Sequence, residues 1–243
     1  MRFSPKRLTP LLLSTLVWAD GPTDLRASLQ RLQGGTPIDV DLAYSVRQEQ
    51  TAFLKSAVRE DSLRLRVRED ESGLHVDWKP AFAAPPLSGS RGSTPSGEAM
   101  KDLDTHVLGQ LLDQARALSS LVEGAHFKAE GRETRQGQSL RVLTYVCKPV
   151  ILPQFQGRIS QAEASLKIWI GEDGAPLAMD ALLDYTGKHS RLYGRIHGRN
   201  LVTTTFKVLG QRLVVASRTS EDFIYDYGDK VKKQTTLLLA AKE

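Results

Sequence analysis

Arg191, Tyr193, Arg195, His197 and Arg199 stand at alternate positions of the segment RLYGRIHGRN. In an extended strand they share one face, with Leu192, Gly194, Ile196 and Gly198 on the other. Arginines in such a row are able to hold a carboxylate or phosphate through paired N–H donors. The same alternation also describes an outer, solvated strand face whose glycines sit beneath a helix or a bulge, and that plainer reading is the commoner one. Arg191 and Arg195 are therefore carried forward as candidate anion-binding residues, with the solvated face as the alternative.

Other strings with chemical potential fall short of what their chemistry needs. The nearest approach to a nucleophile elbow is SGSRG at 88–92, which lies in a Pro/Gly/Ser-rich stretch and lacks the strand-to-helix turn. Tyr185-Thr186-Gly187-Lys188-His189 resembles the end of a phosphate loop, but Leu182 replaces the first glycine and His189 replaces the magnesium-ligating hydroxyl. Glu221, Asp222, Asp226 and Asp229 match neither a calcium loop nor a fixed acid/base spacing, and acidic turns between strands are common. The histidines at 75, 106, 126, 189 and 197 form no HExxH and no tight pair. Cys147 is the single cysteine, so an intramolecular disulfide is impossible and a cysteine-rich zinc site is excluded. It reads as a small apolar strand residue, with a reactive thiol as the sharper alternative. No catalytic residue, metal ligand or cofactor is assigned, and the chain is expected not to be an enzyme.

Several elements must position these residues. PTDLRASLQRLQ at 22–33 puts Leu25, Leu29 and Leu32 on one helical face, with Thr23 as N-cap and Gly34-Gly35 as the stop. IDVDLAYSVR alternates Ile38, Val40, Leu42, Tyr44 and Val46 against Asp39, Asp41, Ala43, Ser45 and Arg47, a strand with one wet face. Residues 49–60 stay open between strand and helix. LRLRVRE and LHVDW form a hairpin across Glu71-Ser72-Gly73. Lys79 to Gly97 is dense in Pro, Gly and Ser and reads as a flap or loop. Met100, Leu103, Val107, Leu111, Ala115 and Leu118 then mark one long helix from about Glu98 to Glu123. Eight strand-like segments with short turns follow. A meander of roughly ten to twelve strands is expected, more than a flat sheet carries comfortably, so strong curling follows. SLRVLTYVC is apolar on both faces, which requires helices on both sides or an apolar cavity on one, packing being the commoner cause.

The first nineteen residues, MRFSPKRLTPLLLSTLVWA, read as an export signal: Arg2, Lys6 and Arg7 precede an apolar run too short to span a bilayer, with Val17 and Ala19 at the cleavage-reading positions. Cleavage before Asp20 leaves one domain over residues 20–243. Of the formal charge of +5, three units belong to the leader, so the remainder is near +2. Positive and negative residues are interspersed, which argues against nucleic acid as a partner. The exported chain is expected to be soluble, periplasmic in a double-membrane bacterium and otherwise secreted, with no integral membrane segment.

EASLKIWIGEDGAPLAMDALLDY, with Trp169, the turn Glu172-Asp173-Gly174 and Pro176-Leu177, resembles the strand–turn–strand of the LolA/LolB-like lipoprotein-carrier superfamily. LRLRVREDESGLHVDW departs from that family, having the hairpin and Trp78 but no Arg-Pro. The resemblance implies an open half-barrel of antiparallel strands whose helices plug an apolar concave face that receives acyl chains. The fold expected is thus α+β: a strongly curled antiparallel β-meander, or half-barrel, with an N-terminal helix and one long helix covering or plugging the sheet. Trp169 and Phe206 are named as aromatics near the apolar interior. The expected function is non-enzymatic carriage of a lipid or lipidated protein. The alternative is an envelope scaffold with a fully packed sheet, whose flap or edge strand docks a protein partner.

Overall fold

A computed structural model describes residues 20–52, 55–79, 103–151, 157–188, 194–226 and 228–241. The expected leader at 1–19, nearly all of the 79–97 flap, and Arg191 and His189 lie outside the described residues. Chain order is α1 (Gly21–Arg31), β1 (Ile38–Ala52), β2 (Lys55–Asp70), β3 (Gly73–Lys79), α2 (Thr105–Leu112), α3 (Gln114–Glu123), then β4 (His126–Arg135), β5 (Gln138–Cys147) and β6 (Ile159–Ile170). It continues with β7 (Pro176–Lys188), β8 (Arg195–Leu209), β9 (Arg212–Asp226) and β10 (Asp229–Ala241).

All ten strands form one antiparallel sheet in the order β3-β2-β1-β10-β9-β8-β7-β6-β5-β4. Each strand pairs with its neighbour in sequence except at one place. There β1 pairs with β10, from Val40–Ala241 to Thr51–Lys230, and β3 and β4 become the two edges. The expectation of a strongly curled meander is corrected accordingly: the sheet is not closed. Pairing the first strand with the last in the middle of the sheet sends β3 and β4 to opposite margins, and ten strands remain within the range of open sheets. Residues 49–52 and 55–60, within the stretch left open from sequence, extend β1 and β2 as paired antiparallel strands.

The alternating apolar residues of β1 behave as their period demands. Ile38, Val40, Leu42, Tyr44 and Val46 are all buried, and Leu63, Leu65 and Val67 of β2 are buried on the same face. The helices cover that face. α2 seats Leu108, Leu111 and Leu112 against β1, β2, β9 and β10, while α1 and α3 seat Leu25, Leu29, Ala115, Leu118 and Val122 against β5 to β9.

The single long helix expected over 98–123 is, in its described part, two helices broken at Asp113, whose backbone leaves the helical region (φ −127°, ψ 64°). The Asp113 carboxylate accepts the Arg116 N–H at 3.5 Å, so it offers the backbone a cap in place of helix continuation. The break lets each half follow its own part of the twisted sheet. At the amino end of α1 the N-cap is Asp20 rather than Thr23; Thr23 Oγ1 donates to Asp20 at 3.2 Å.

α1 is tied to the strand turns at one end of the sheet. Arg31 donates to the Asp173 carbonyl at 3.0 Å, and Arg141 of β5 bridges Asp24 of α1 and Glu130 of β4 at 2.8 Å each. These two carboxylates hold the Arg141 guanidinium above its ordinary pKa, mainly through the hydrogen bond it donates to Glu130. Gly174 sits in this joint with φ +77°, and a side chain there would meet the Asp24 carbonyl oxygen at 2.6 Å. Gly174→Ala would combine a left-handed backbone with a clash against backbone. We expect it to lower the unfolding free energy by about 1–3 kcal/mol, read as a drop in the denaturant midpoint at unchanged m-value.

Candidate functional site

Antiparallel partners directly opposite one another project to the same face, so the sheet register lays the helix-side face out in rows. One row runs from Leu63 through Tyr44, Leu237, Arg218, Thr204, Met179 and Ile168 to Leu143. This row is the limit of the packed core on several strands: Leu237, Leu63 and Met179 belong to the two helix-covered clusters, whereas the next residues on the same face, Thr235, Asp61 and Ala181, are half-buried.

Beyond that row the helix-side face carries Ala181, Leu183 and Val202 of β7 and β8, and Ile224 and Val231 of β9 and β10, all partly exposed. A short polar band crosses it. Ser220 and Thr235 hydroxyls meet at 2.9 Å, and the Asp222 carboxylate accepts from Asn200 and, at 3.5 Å, from Ser220. Farther along, Tyr185 is buried over Gly198, where a side chain would collide with the Tyr185 ring at 2.1 Å. Burial, reinforced by the Asp222 and Asp226 charges, raises the Tyr185 pKa, so it stays a neutral phenol.

Arg218 is the single charged member of the apolar row and stands on β9, an interior strand of the sheet. Its Nε donates to Thr204 Oγ1 at 3.3 Å, and no carboxylate among the described residues pairs with it. Burial lowers its pKa, with no acid acting in the other direction. Arg66 contrasts with it: paired to Asp39 on the outer face, its pKa is raised chiefly by that hydrogen bond.

The residues proposed from sequence separate to different places. Phe206 is on the helix-side face, buried among α1, α3 and the strands beneath them. Trp169 is on the opposite face, in a small cluster with Val142 and Ala178, under the Arg135 guanidinium at 4.2 Å from its ring centre. It is therefore not beside the helix-covered interior. That cluster also accounts for Leu140 and Val142 on the apolar outer face of β5, which none of the described helices packs against. Arg195, His197 and Arg199 lie on the outer face, with Arg195 and Arg199 exposed and His197 3.4 Å from Asp184. Gly187 and Lys188 of the phosphate-loop-like string belong to the extended strand β7, and the next described element is the strand β8. Asp222 and Glu221 lie within β9 on opposite faces, and Asp226 and Asp229 flank the β9–β10 turn. Cys147 ends β5 on the helix side, and burial raises its thiol pKa.

Arg218 escaped the sequence reading for a physical reason. A bulge opposite Thr205–Phe206 inserts one extra residue into β9, so Val215 and Arg218 share a face although three positions separate them. Strict alternation would have placed Arg218 outside.

No family model matches the chain, and no curated protein matches it. Among solved structures it is similar to a DUF1329 family protein from Desulfovibrio piger, with 15% identity over 90% of this chain and 91% of that one, at a TM-score of 0.29. A likeness this slight carries no argument about fold or function.

Two side-chain truncations separate the outer-face residues. Trp169→Ala should cost about 3–5 kcal/mol, because it empties a buried aromatic site, whereas Arg195→Ala should stay within about 0.5 kcal/mol of wild type; urea titrations read both. Cys147 should react with a disulfide reagent at pH 8 more slowly than free cysteine, since burial limits both access and thiolate. Its rate should keep rising at pH values where an ordinary thiol has already ionised.

Proposed function

We propose that the chain is an exported, non-enzymatic binding protein for an apolar or amphipathic ligand, a lipid or the acyl chain of a lipidated protein, on an open scaffold like that of the LolA/LolB-like carriers. The observation that carries this reading is the unequal cover on the helix side of the sheet. Three helices bury one half of that face, while Ala181, Leu183, Val202, Ile224 and Val231 on the other half are only partly buried. Ala181, Leu183 and Val202 adjoin one another on β7 and β8, and Ile224 and Val231 on β9 and β10, with the Ser220–Thr235 and Asn200–Asp222 pairs between the two groups; partly exposed apolar groups gathered on one face mark a ligand or partner site. An acyl chain laid there gains roughly 0.8 kcal/mol per buried methylene, so useful affinity needs no catalytic group. Export rests on the leader-like start of the sequence, and among the described residues no helix is long and apolar enough to cross a membrane.

Native mass spectrometry of the protein purified from the exported fraction tests the reading. Co-purifying acyl species, with a melting temperature that climbs as phospholipid is added, is the expected result. A ligand-free mass together with an unmoved melting temperature would overturn it and favour the scaffold alternative.

A further inference from the structure

We infer that the proposed ligand is a single-chain amphiphile with a carboxylate head, and that Arg218 holds that head while the chain lies along Leu183, Val202 and Ile224. The inference rests on the binding reading above and adds the chemistry of the ligand to it.

A guanidinium presents five N–H donors in a planar fork suited to a carboxylate. Arg218 uses its Nε–H on Thr204, and no acid among the described residues answers its positive charge. Leu237 and Thr204 flank it directly across the sheet, with Met179 one strand beyond Thr204, so its surroundings offer little solvation. The acid on its own strand face, Asp222, is four residues on, about 13 Å along the strand at ~3.3 Å per residue, and is engaged by Asn200 and Ser220. Other arginines at buried or half-buried positions are paired with acids: Arg141 holds Asp24 and Glu130, and Arg212 holds Glu69 at 2.7 Å. A partly desolvated cation without an acidic partner is costly, and the cost falls when an anion reaches it.

Placement adds direction to the charge. Arg218 lies where the helix-covered core ends and the partly exposed apolar surface begins. A ligand whose head reaches Arg218 therefore has its tail over the half of the sheet that the helices leave free. A fully polar anion would bury no apolar surface there, and an uncharged chain would leave the guanidinium unanswered.

Isothermal titration of laurate, 1-dodecanol and acetate into wild type, Arg218→Met and Arg218→Lys tests the inference. Wild type should prefer laurate to dodecanol by about tenfold or more. Arg218→Met should bind the two alike, with dodecanol affinity unchanged, and Arg218→Lys should keep part of the preference. Replacing a half-buried cation that has no acidic partner by a chain of similar volume should leave the melting temperature equal or higher. A laurate preference that survives in Arg218→Met overturns the inference, as does a wild type that binds both ligands equally; in either case the binding reading stands. Acetate binding as tightly as laurate would mark a chain-independent anion site and also overturn it. A wild type that binds none of the three fails the binding reading itself. Should Arg218→Met lose its cooperative melting transition, Arg218→Gln and the wild-type ratio of laurate to dodecanol decide the matter.

Discussion

The pairing of β1 with β10 is the constraint on which the remaining structure depends. It joins the chain's early hairpins to the seven-strand meander that follows the helices, and it closes a very long loop to do so. Loop closure of that length carries a slowly growing entropic cost, offset here by a continuous ladder and by the burial of Val40, Leu42, Tyr44 and Val46 beside Leu237. Without this ladder α2 would lose the surface it spans, since its core cluster draws on β1 and β2 from one side and on β9 and β10 from the other.

The same pairing explains why the sheet stays open and why one face is unevenly covered. With β3 and β4 at opposite margins, neither edge finds the other. β4 instead exposes most of its length, and its Lys128, Glu130, Arg132 and Glu133 supply the charge that discourages edge-to-edge association. The helices cluster where α1 is anchored, at the end of the sheet holding the 171–175 and 210–212 turns, through Arg31–Asp173 and Gly34–Gln211. Their cover ends near the row that contains Arg218. The apolar half-face beyond that row and the lone guanidinium at its border are two products of one arrangement.

Much of the architecture was legible in the residues. The strict alternation of Ile38 to Val46 and of Leu63 to Val67 states both the strand and the buried face, because a period of two leaves no other assignment. The α1 stripe of Leu25 and Leu29 was equally plain. What alternation cannot show is which distant strand lies alongside: nothing local in β1 distinguishes β10 as its partner. The helix break at Asp113 was hidden because the apolar spacing runs through it, while a single side-chain cap decides the backbone. The site was less legible than the fold. Arg191 and Arg195 attracted attention by their regular row, which a solvated outer strand face also produces. Arg218 sits behind a one-residue bulge that reverses the parity of β9. Trp169 looked like an interior aromatic, but residue type does not say which side of a sheet is covered, and the roof over it is an arginine.

The central claim is that ligand lies on the helix-side half-face of β7 to β10. The most direct measurement is intermolecular nuclear Overhauser effects between a long-chain fatty acid and protein labelled at Ile, Leu and Val methyls. Cross-peaks from the chain to Leu183, Val202, Ile224 and Val231, with none to the outer-face methyls of Val146 and Leu238, are predicted. Cross-peaks to Val146 and Leu238, or none at all under saturating ligand, would contradict the account.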